Sequence, residues 1–247
     1  MRNTPSITLK KIEKYKNMKP FIKLKEEFDF KRLRDDVMSV YKEIQNSAEG
    51  DYAELSRRNI SLTVTEENSS DWTDGVAGKT FVNNTHSDSA VNLGTQLVRN
   101  ENEMLKENLY VHPINQIKGT YIEELVERYS HVCRWRISVL PPRTTLSIHV
   151  DGSHLMNTLQ GGGAVMDWRL HFPITTNNRC FLVNWPNNFG TPSDTGEEIQ
   201  LQMAHFKAGS SYLLNTTMMH CATNYSNTER VHLIASLNTD SIKNFSV

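Results

Sequence analysis

Apolar positions recur at helical spacing in the first half of the chain. Between residues 28 and 44 they return every three or four positions, as at Leu33 and Val37, with charged residues between them. This pattern is typical of an amphipathic helix. Two shorter stretches, Asn102–Leu109 and Ile122–Tyr129, show the same spacing. We therefore expect the first half to consist of helices and loops.

From Cys133 onward the pattern changes to short runs in which apolar and polar residues alternate, separated by Gly, Pro, Asn and Asp. Such runs are typical of strands, and the residues between them are typical of turns. The predicted strands are Cys133–Leu140, Thr144–Val150, Trp168–Ile174, Cys180–Trp185, Ser211–Leu214 and Arg230–Leu237. Many short strands after a helical section predict a mainly β fold, namely a jelly roll backed by N-terminal helices.

Two segments fall outside this pattern. The N-terminus is rich in lysine, and we interpret residues 1–20 as a basic arm ahead of one domain over residues 21–247. The arm is either a solvated tail or a contact for phosphates or a partner protein. Residues 63–94 are polar and rich in Gly, Asn, Asp and Ser, which indicates either a surface loop or a lid over a binding site.

Composition excludes several classes of partner. The 247 residues include 27 Lys and Arg against 28 Asp and Glu, so no overall charge attracts the chain to nucleic acid or anionic lipid. No apolar run approaches the roughly 20 residues that span a bilayer. Cys133, Cys180 and Cys221 are odd in number and lack CxxC spacing, which favours reduced thiols. These features predict a cytoplasmic protein that binds neither membrane nor nucleic acid.

The candidate chemistry begins with His149 and Asp151, which point to the same face of a predicted strand. This pair alone is a weak signal, since it also arises as an ordinary strand end. His220 and Arg230 follow, with Arg230 at the start of another predicted strand. Two imidazoles and one carboxylate hold Fe(II) in non-heme oxygenases, and a guanidinium suits a dicarboxylate cosubstrate. Together these residues predict an iron oxygenase; the alternatives are a core histidine and a surface arginine.

The order and spacing of several motifs resemble the aspartyl/asparaginyl β-hydroxylase family, which includes small hydroxylases of amino acids such as proline. The motifs, within roughly residues 130–240, are His149-x-Asp151, Arg169-x-His171, His220 and Arg230. The resemblance implies a double-stranded β-helix of cupin-like form that uses Fe(II), 2-oxoglutarate and O₂. It also implies that His149, Asp151 and His220 bind the iron. Because some animal members that act on protein domains lack the carboxylate ligand, Asp151 favours the small-molecule branch.

The resemblance further implies that Arg230 binds the distal carboxylate of 2-oxoglutarate and that Arg169 and His171 lie beside the cosubstrate. The implied activity is hydroxylation of a free amino acid or of an Asp-, Asn- or Pro-like residue in a peptide. We interpret His205 and His232 as packing or supporting groups. Two alternatives stay open: a metal-binding jelly roll that does not use 2-oxoglutarate, and a non-catalytic binding protein.

Overall fold

The structure, a computed structural model, describes residues 19–74, 107–146, 148–149, 151, 166–185 and 201–247. The α-helices are α1 (Phe30–Ser47), α2 (Asp51–Ser56) and α3 (Tyr121–Arg128). Short 3₁₀ turns cover Glu107–Leu109, Asn115–Ile117 and Thr239–Asn244. The strands are β1 (Phe21–Lys23), β2 (Asn59–Ser61), β3 (Thr63–Val64), β4 (His112–Pro113), β5 (Cys133–Leu140), β6 (Thr144–Thr145), β7 (Trp168–Thr175), β8 (Cys180–Trp185), β9 (Gln202–Ala204), β10 (Tyr212–Asn215), β11 (Met219–Asn224) and β12 (Arg230–Leu237).

Two antiparallel sheets form the body of the fold. The larger sheet has six strands in the order β1-β10-β7-β12-β5-β2, and the smaller has four in the order β6-β11-β8-β9. Neighbours in each sheet are mostly distant in sequence, so the chain crosses repeatedly between the two sheets. Strands β3 and β4 form a separate pair. This arrangement is a jelly roll of the double-stranded β-helix type with helices in its N-terminal half, which confirms the predicted fold class.

Helix α1 covers one face of the larger sheet. Its first turn is capped by Asp29, whose side chain accepts a hydrogen bond from the backbone N–H of Arg32 at 3.0 Å. Leu33 and the other apolar residues of one helical face are buried in the same core as the apolar residues of the sheet. Phe28, just before the helix, packs edge-on against Phe172 of β7 with ring centroids 5.1 Å apart.

Alternation along the central strands gives the larger sheet two different faces. On β7, Leu170 and Phe172 belong to the core shared with the helices, whereas Arg169 and His171 lie on the opposite face. The ring of His171 contacts Phe206, which packs with residues of the smaller sheet. The space between the two sheets is therefore lined partly by charged and polar groups, and this is where the candidate site lies.

The structure agrees with most predicted element positions and corrects some. Helix α1 begins two residues later and ends three residues later than predicted, and β5, β8 and β12 have the predicted bounds. Within the predicted strand over residues 144–150, the described residues form β6 and then an isolated bridge at His149. The described end of the predicted helix at 102–109 is a 3₁₀ turn. Strands β1, β2, β3, β4 and β9 were not predicted, because strands of two or three residues show too little alternation to be recognised. The six-residue β11, which carries His220, was also not predicted as a strand.

Several sequence predictions fall wholly or partly outside the described residues. Residues 1–18 of the predicted basic arm are among these, and so are residues 75–94 of the polar segment. The described start of that segment forms β3 and then a series of turns up to Asp74. The division into an arm and a single domain therefore stays a prediction.

The helix–sheet core makes a testable prediction. Leu33 is 0% exposed on α1, whereas Leu201 is 55% exposed. Leu33→Ala should lower the free energy of unfolding by about 2–5 kcal/mol, because it removes buried methyl groups and leaves a cavity. Leu201→Ala should change it by less than about 0.5 kcal/mol. Urea denaturation of both variants measures this, and equal effects would contradict the described packing.

Candidate active site

His149, Asp151 and His220 offer donor atoms that all lie within 4.8 Å of one another. Oδ1 of Asp151 is 3.6 Å from Nε2 of His149 and 4.0 Å from Nε2 of His220. Two atoms that each lie roughly 2.1 Å from one ion can be no more than about 4.2 Å apart. The three groups therefore need only a small inward movement to bind a single metal ion.

The backbone fixes the two histidines opposite each other. The N–H of His149 donates to the carbonyl of His220 at 3.0 Å, and the N–H of His220 donates back at 2.9 Å. This is an isolated antiparallel bridge between the segment after β6 and strand β11. Because paired strands hold directly opposite side chains close together, the bridge sets the spacing of the two imidazoles without help from a metal.

The protonation states suit metal binding. Nδ1 of His220 lies 2.9 Å from the carbonyl of Met218, which fixes the tautomer and leaves Nε2 free to ligate. Burial lowers the pKa of His220 to about 4, against the opposing effect of Asp151. Burial of Asp151 opposes its ionisation, but the guanidinium of Arg169 and the two histidines lower its pKa overall. Near neutral pH His220 is therefore a neutral imidazole and Asp151 a carboxylate, which are the forms that bind a divalent metal.

Arg169 holds the carboxylate of Asp151. Nη2 of Arg169 is 2.6 Å from Oδ2 of Asp151 and 3.0 Å from Oε1 of Glu107. Glu107 is buried, and its Oε1 also accepts a hydrogen bond from Arg134. Burial raises the pKa of Glu107, but Arg169 and Arg134 outweigh it, so the pKa is lowered and the group is charged. With Oδ2 of Asp151 taken by Arg169, Oδ1 is the oxygen that faces the histidines.

A second group of buried polar residues lies farther along the same face of the larger sheet. Nε and Nη2 of Arg230 are 3.0 and 2.9 Å from the two ring nitrogens of His232. Those nitrogens point in different directions within the ring plane, so the two contacts cannot both be in-plane hydrogen bonds. The guanidinium therefore lies against the ring. Nδ1 of His232 is also 3.2 Å from Nδ1 of His171. Burial and the charge of Arg230 lower the pKa of both histidines well below the usual value, so both are neutral.

The charge of Arg230 has no carboxylate partner among the described residues. Burial lowers the pKa of Arg230 to about 10, so the group is still charged at neutral pH. Among the described residues, three nitrogens on the same face of the larger sheet are also buried without a hydrogen-bond partner: Nε of Arg169, Nε2 of His171 and Nη1 of Arg136. Unsatisfied buried polar groups are costly, so an oxygen-rich ligand that accepted from Arg169 and Arg136 would be stabilised on this face.

The predicted site residues thus form two groups, each held together by its own contacts. His149, Asp151, His220 and Arg169 form the first. His171 and Arg230 form the second, joined through His232. Arg169 contacts the candidate metal ligand Asp151. The family resemblance implied only that Arg169 lies beside the cosubstrate and did not indicate this contact.

Sequence reasoning missed Glu107 and Arg136. Glu107 lies far from every motif, and no local pattern pairs it with Arg169. Arg136 alternates with apolar neighbours on β5, so the polarity pattern could have placed it on the face opposite Trp135 and Ile137.

A jelly roll that holds two histidines and a carboxylate between its sheets, beside a buried arginine, has the arrangement of a non-heme iron oxygenase. The sequence profile of the aspartyl/asparaginyl beta-hydroxylase family matches residues 27–239. The chain belongs to this family, and it is an oxygenase of the Fe(II)- and 2-oxoglutarate-dependent type. The family resemblance and the enzyme class predicted from the motifs are confirmed.

Solved structures resemble the chain only distantly. AviO1 from Streptomyces viridochromogenes is 11% identical, with a TM-score of 0.44 over 96% of this chain and 97% of that one. A 2OG-Fe(II) oxygenase family oxidoreductase from Burkholderia pseudomallei is 8% identical, with a TM-score of 0.43 over 96% and 92%. No curated protein matches the sequence. Among the described helices, none combines the length and apolar character needed to cross a membrane.

The metal centre can be tested without turnover. His220→Ala should weaken binding of Mn(II), used as a stable substitute for Fe(II), by more than the roughly 10–100-fold typical of removing an outer partner of a ligand. Glu107→Gln should weaken Mn(II) binding by an amount within that range, because it weakens the contacts that hold Arg169 and Asp151 in place. His112→Ala, which removes a half-exposed histidine on β4, should leave the affinity unchanged. Calorimetry on the folded variants measures the three affinities, and a His220→Ala protein that binds Mn(II) normally would rule out this site.

The buried histidines predict a pH dependence of stability. The folded-state pKa values of His171 and His232 are lowered below the ordinary value of about 6.5, so the unfolded chain binds more protons as the pH falls. The free energy of unfolding of the metal-free protein should therefore decrease from about pH 6.5 to about pH 5, by up to about 1.4 kcal/mol per pH unit for each histidine. Urea denaturation at several pH values measures this slope. His232→Gln should reduce the slope, and an unchanged slope would contradict a neutral buried His232.

Proposed function

We propose that this protein is an Fe(II)- and 2-oxoglutarate-dependent hydroxylase of a free amino acid, or of an Asp-, Asn- or Pro-like residue in a peptide. The observation that carries the proposal is the convergence of His149, Asp151 and His220 between the sheets, with Arg230 buried on the same face of the larger sheet without a carboxylate partner among the described residues. A metal-binding jelly roll that does not use 2-oxoglutarate has no need of a buried guanidinium for a dicarboxylate.

In this proposal each residue of the first group has one task. His149 and His220 would hold the iron through their ring nitrogens, and Asp151 would supply the anionic ligand through Oδ1. Arg169, fixed by Glu107, keeps Oδ2 occupied and so orients the carboxylate. The ligands are thus held in position by backbone pairing and by a buried ion pair.

The second group would position the cosubstrate. Arg230 would take the distal carboxylate of 2-oxoglutarate in a two-pronged contact, and His232 keeps the guanidinium in place. Nε2 of His171, which has no partner within the described residues, is available to the same ligand. Iron and 2-oxoglutarate, once bound, supply the activation of O₂. The protein contributes orientation and a buried interior from which water is largely excluded.

The setting of the enzyme is part of the same proposal. Cys133, Cys180 and Cys221 are all free and buried, which supports a reducing compartment such as the cytoplasm. Residues 21–247 would form the catalytic domain, preceded by the basic arm of residues 1–20. The partner is a small amino acid or a peptide rather than nucleic acid.

The cosubstrate assignment can be tested by binding and by turnover. Arg230→Gln should weaken 2-oxoglutarate binding to the Mn(II)-loaded protein by at least about 30-fold, which corresponds to the roughly 2 kcal/mol minimum for truncating a buried charge pair. Asp151→Ala should abolish the Fe(II)-dependent formation of succinate. The matched control is Arg179→Gln, which removes an exposed guanidinium in the turn before β8.

Calorimetry and a succinate assay read the two effects separately. A well-folded wild-type protein that neither binds 2-oxoglutarate nor forms succinate with any of a panel of free amino acids and Asp-, Asn- and Pro-containing peptides would refute the proposed function. Equal losses for Arg230→Gln and Arg179→Gln would refute the role of Arg230 alone.

A further inference from the structure

Arg136 lies on the ligand-binding side of the larger sheet, although no sequence motif singles it out. Its neighbours along β5, Trp135 and Ile137, are fully buried in the core shared with the helices. Arg136 therefore projects from the opposite face. Across the sheet it is in register with Ile234 of β12, and Ile234 is in register with His171 of β7. Arg136 thus belongs to the same row as a residue of the candidate site.

The guanidinium of Arg136 is not neutralised within the described residues. Its Nη1 is buried and makes no hydrogen bond there, and no ion pair joins it to a described carboxylate. Arg134 and Arg169, by contrast, share Glu107, and Arg169 also holds Asp151. Arg136 is half-buried, so part of its side chain is accessible to solvent or to a ligand.

The surroundings of Arg136 favour an incoming anion. Burial, together with the charges of Arg134 and Arg169, lowers the pKa of Arg136 to about 9, and Glu107 and Asp151 offset this only in part. A guanidinium held in this way gains more from a carboxylate than one in water, because a charge-assisted contact is stronger where the dielectric constant is low.

Arg136 and Arg230 lie at different positions along the strand direction of the larger sheet. Arg230 is in register with Leu140 on β5, four residues from Arg136, and four residues span about 13 Å of a strand. The proposed metal ligand Asp151 contacts Arg169, whose partner on β12 is Ser236. Along β12, Ser236 is close to Ile234, the partner of Arg136, and far from Arg230. One small dicarboxylate anchored at Arg230 therefore leaves Arg136 available for a second anion near the metal end.

We propose that Arg136 binds a carboxylate of the primary substrate, so that the substrate carries a free carboxylate near the carbon that is hydroxylated. This inference rests on the proposed function of the same site. Two sources share this chemistry: the α-carboxylate of a free amino acid and the side-chain carboxylate of an aspartyl residue in a peptide. An internal Asn- or Pro-like residue of a peptide carries no such group and is excluded as the substrate.

The experiment uses the full chain loaded with Fe(II) and 2-oxoglutarate. Succinate formation is measured with each free L-amino acid, with its C-terminal amide, and with acetylated, amidated peptides that contain a single Asp or a single Asn. Acids should be accepted and the matching amides rejected. An Asp peptide that is accepted where the Asn peptide is not would assign the carboxylate to a side chain rather than to a chain end.

Variants then connect this selectivity with Arg136. Arg136→Gln should raise the KM of the best acid by at least about 30-fold. Arg136→Lys should recover part of this loss, because it keeps the charge without the two-pronged geometry. Anaerobic calorimetry with the same acid on the Mn(II)- and 2-oxoglutarate-loaded protein gives a readout that does not depend on turnover. Arg179→Gln is again the control, and thermal unfolding checks that each variant folds.

Three results would overturn the inference. The first is that the amides are accepted as well as the acids, or that no acid stimulates succinate formation. The second is an Arg136→Gln protein that binds the acid normally. The third is an Arg136→Gln protein that loses 2-oxoglutarate binding as fully as Arg230→Gln, which would make Arg136 part of the cosubstrate site. Failure of the proposed function itself looks different, since the wild-type protein would then bind no 2-oxoglutarate at all.

Discussion

Three central strands of the larger sheet, β5, β7 and β12, carry apolar residues on one face and charged or polar residues on the other. Trp135, Leu170 and Leu233 join the helices in a continuous core. Arg136, Arg169 and His232, one position away from each, line the space between the sheets. Each strand thus contributes to stability and to chemistry at alternating positions, and a slip of one residue in register would exchange the two faces.

The polar face requires charges in a part of the protein from which water is largely excluded. Glu107 makes this possible, because one buried carboxylate meets both Arg134 and Arg169. Removing a single member of such a network leaves an uncompensated charge, which costs more than the network contributes when complete. Glu107 therefore links the helical half of the sequence to the candidate metal ligands, since its only described support for Asp151 runs through Arg169.

The fold and most of the candidate ligand set could be predicted from the sequence because both depend on short periodic patterns. The His149 and Asp151 pair needs only strand alternation to share a face, and β5, β8 and β12 were recognised to the residue. Glu107 and the contact between Arg230 and His232 depend instead on tertiary packing. No spacing rule joins Glu107 to Arg169, which lies sixty-two positions later. The arrangement of charges is therefore the part of the site that sequence patterns describe least.

The reciprocal backbone hydrogen bonds between His149 and His220 have a consequence for dynamics. These two amides close the smaller sheet at the point where the imidazoles meet, so they exchange with solvent only when that part of the barrel opens. An ion bound by both side chains would stabilise the closed form by a free energy that grows with the logarithm of its concentration relative to its dissociation constant. The hydrogen-exchange rate at these two amides would then fall as the candidate metal site is loaded.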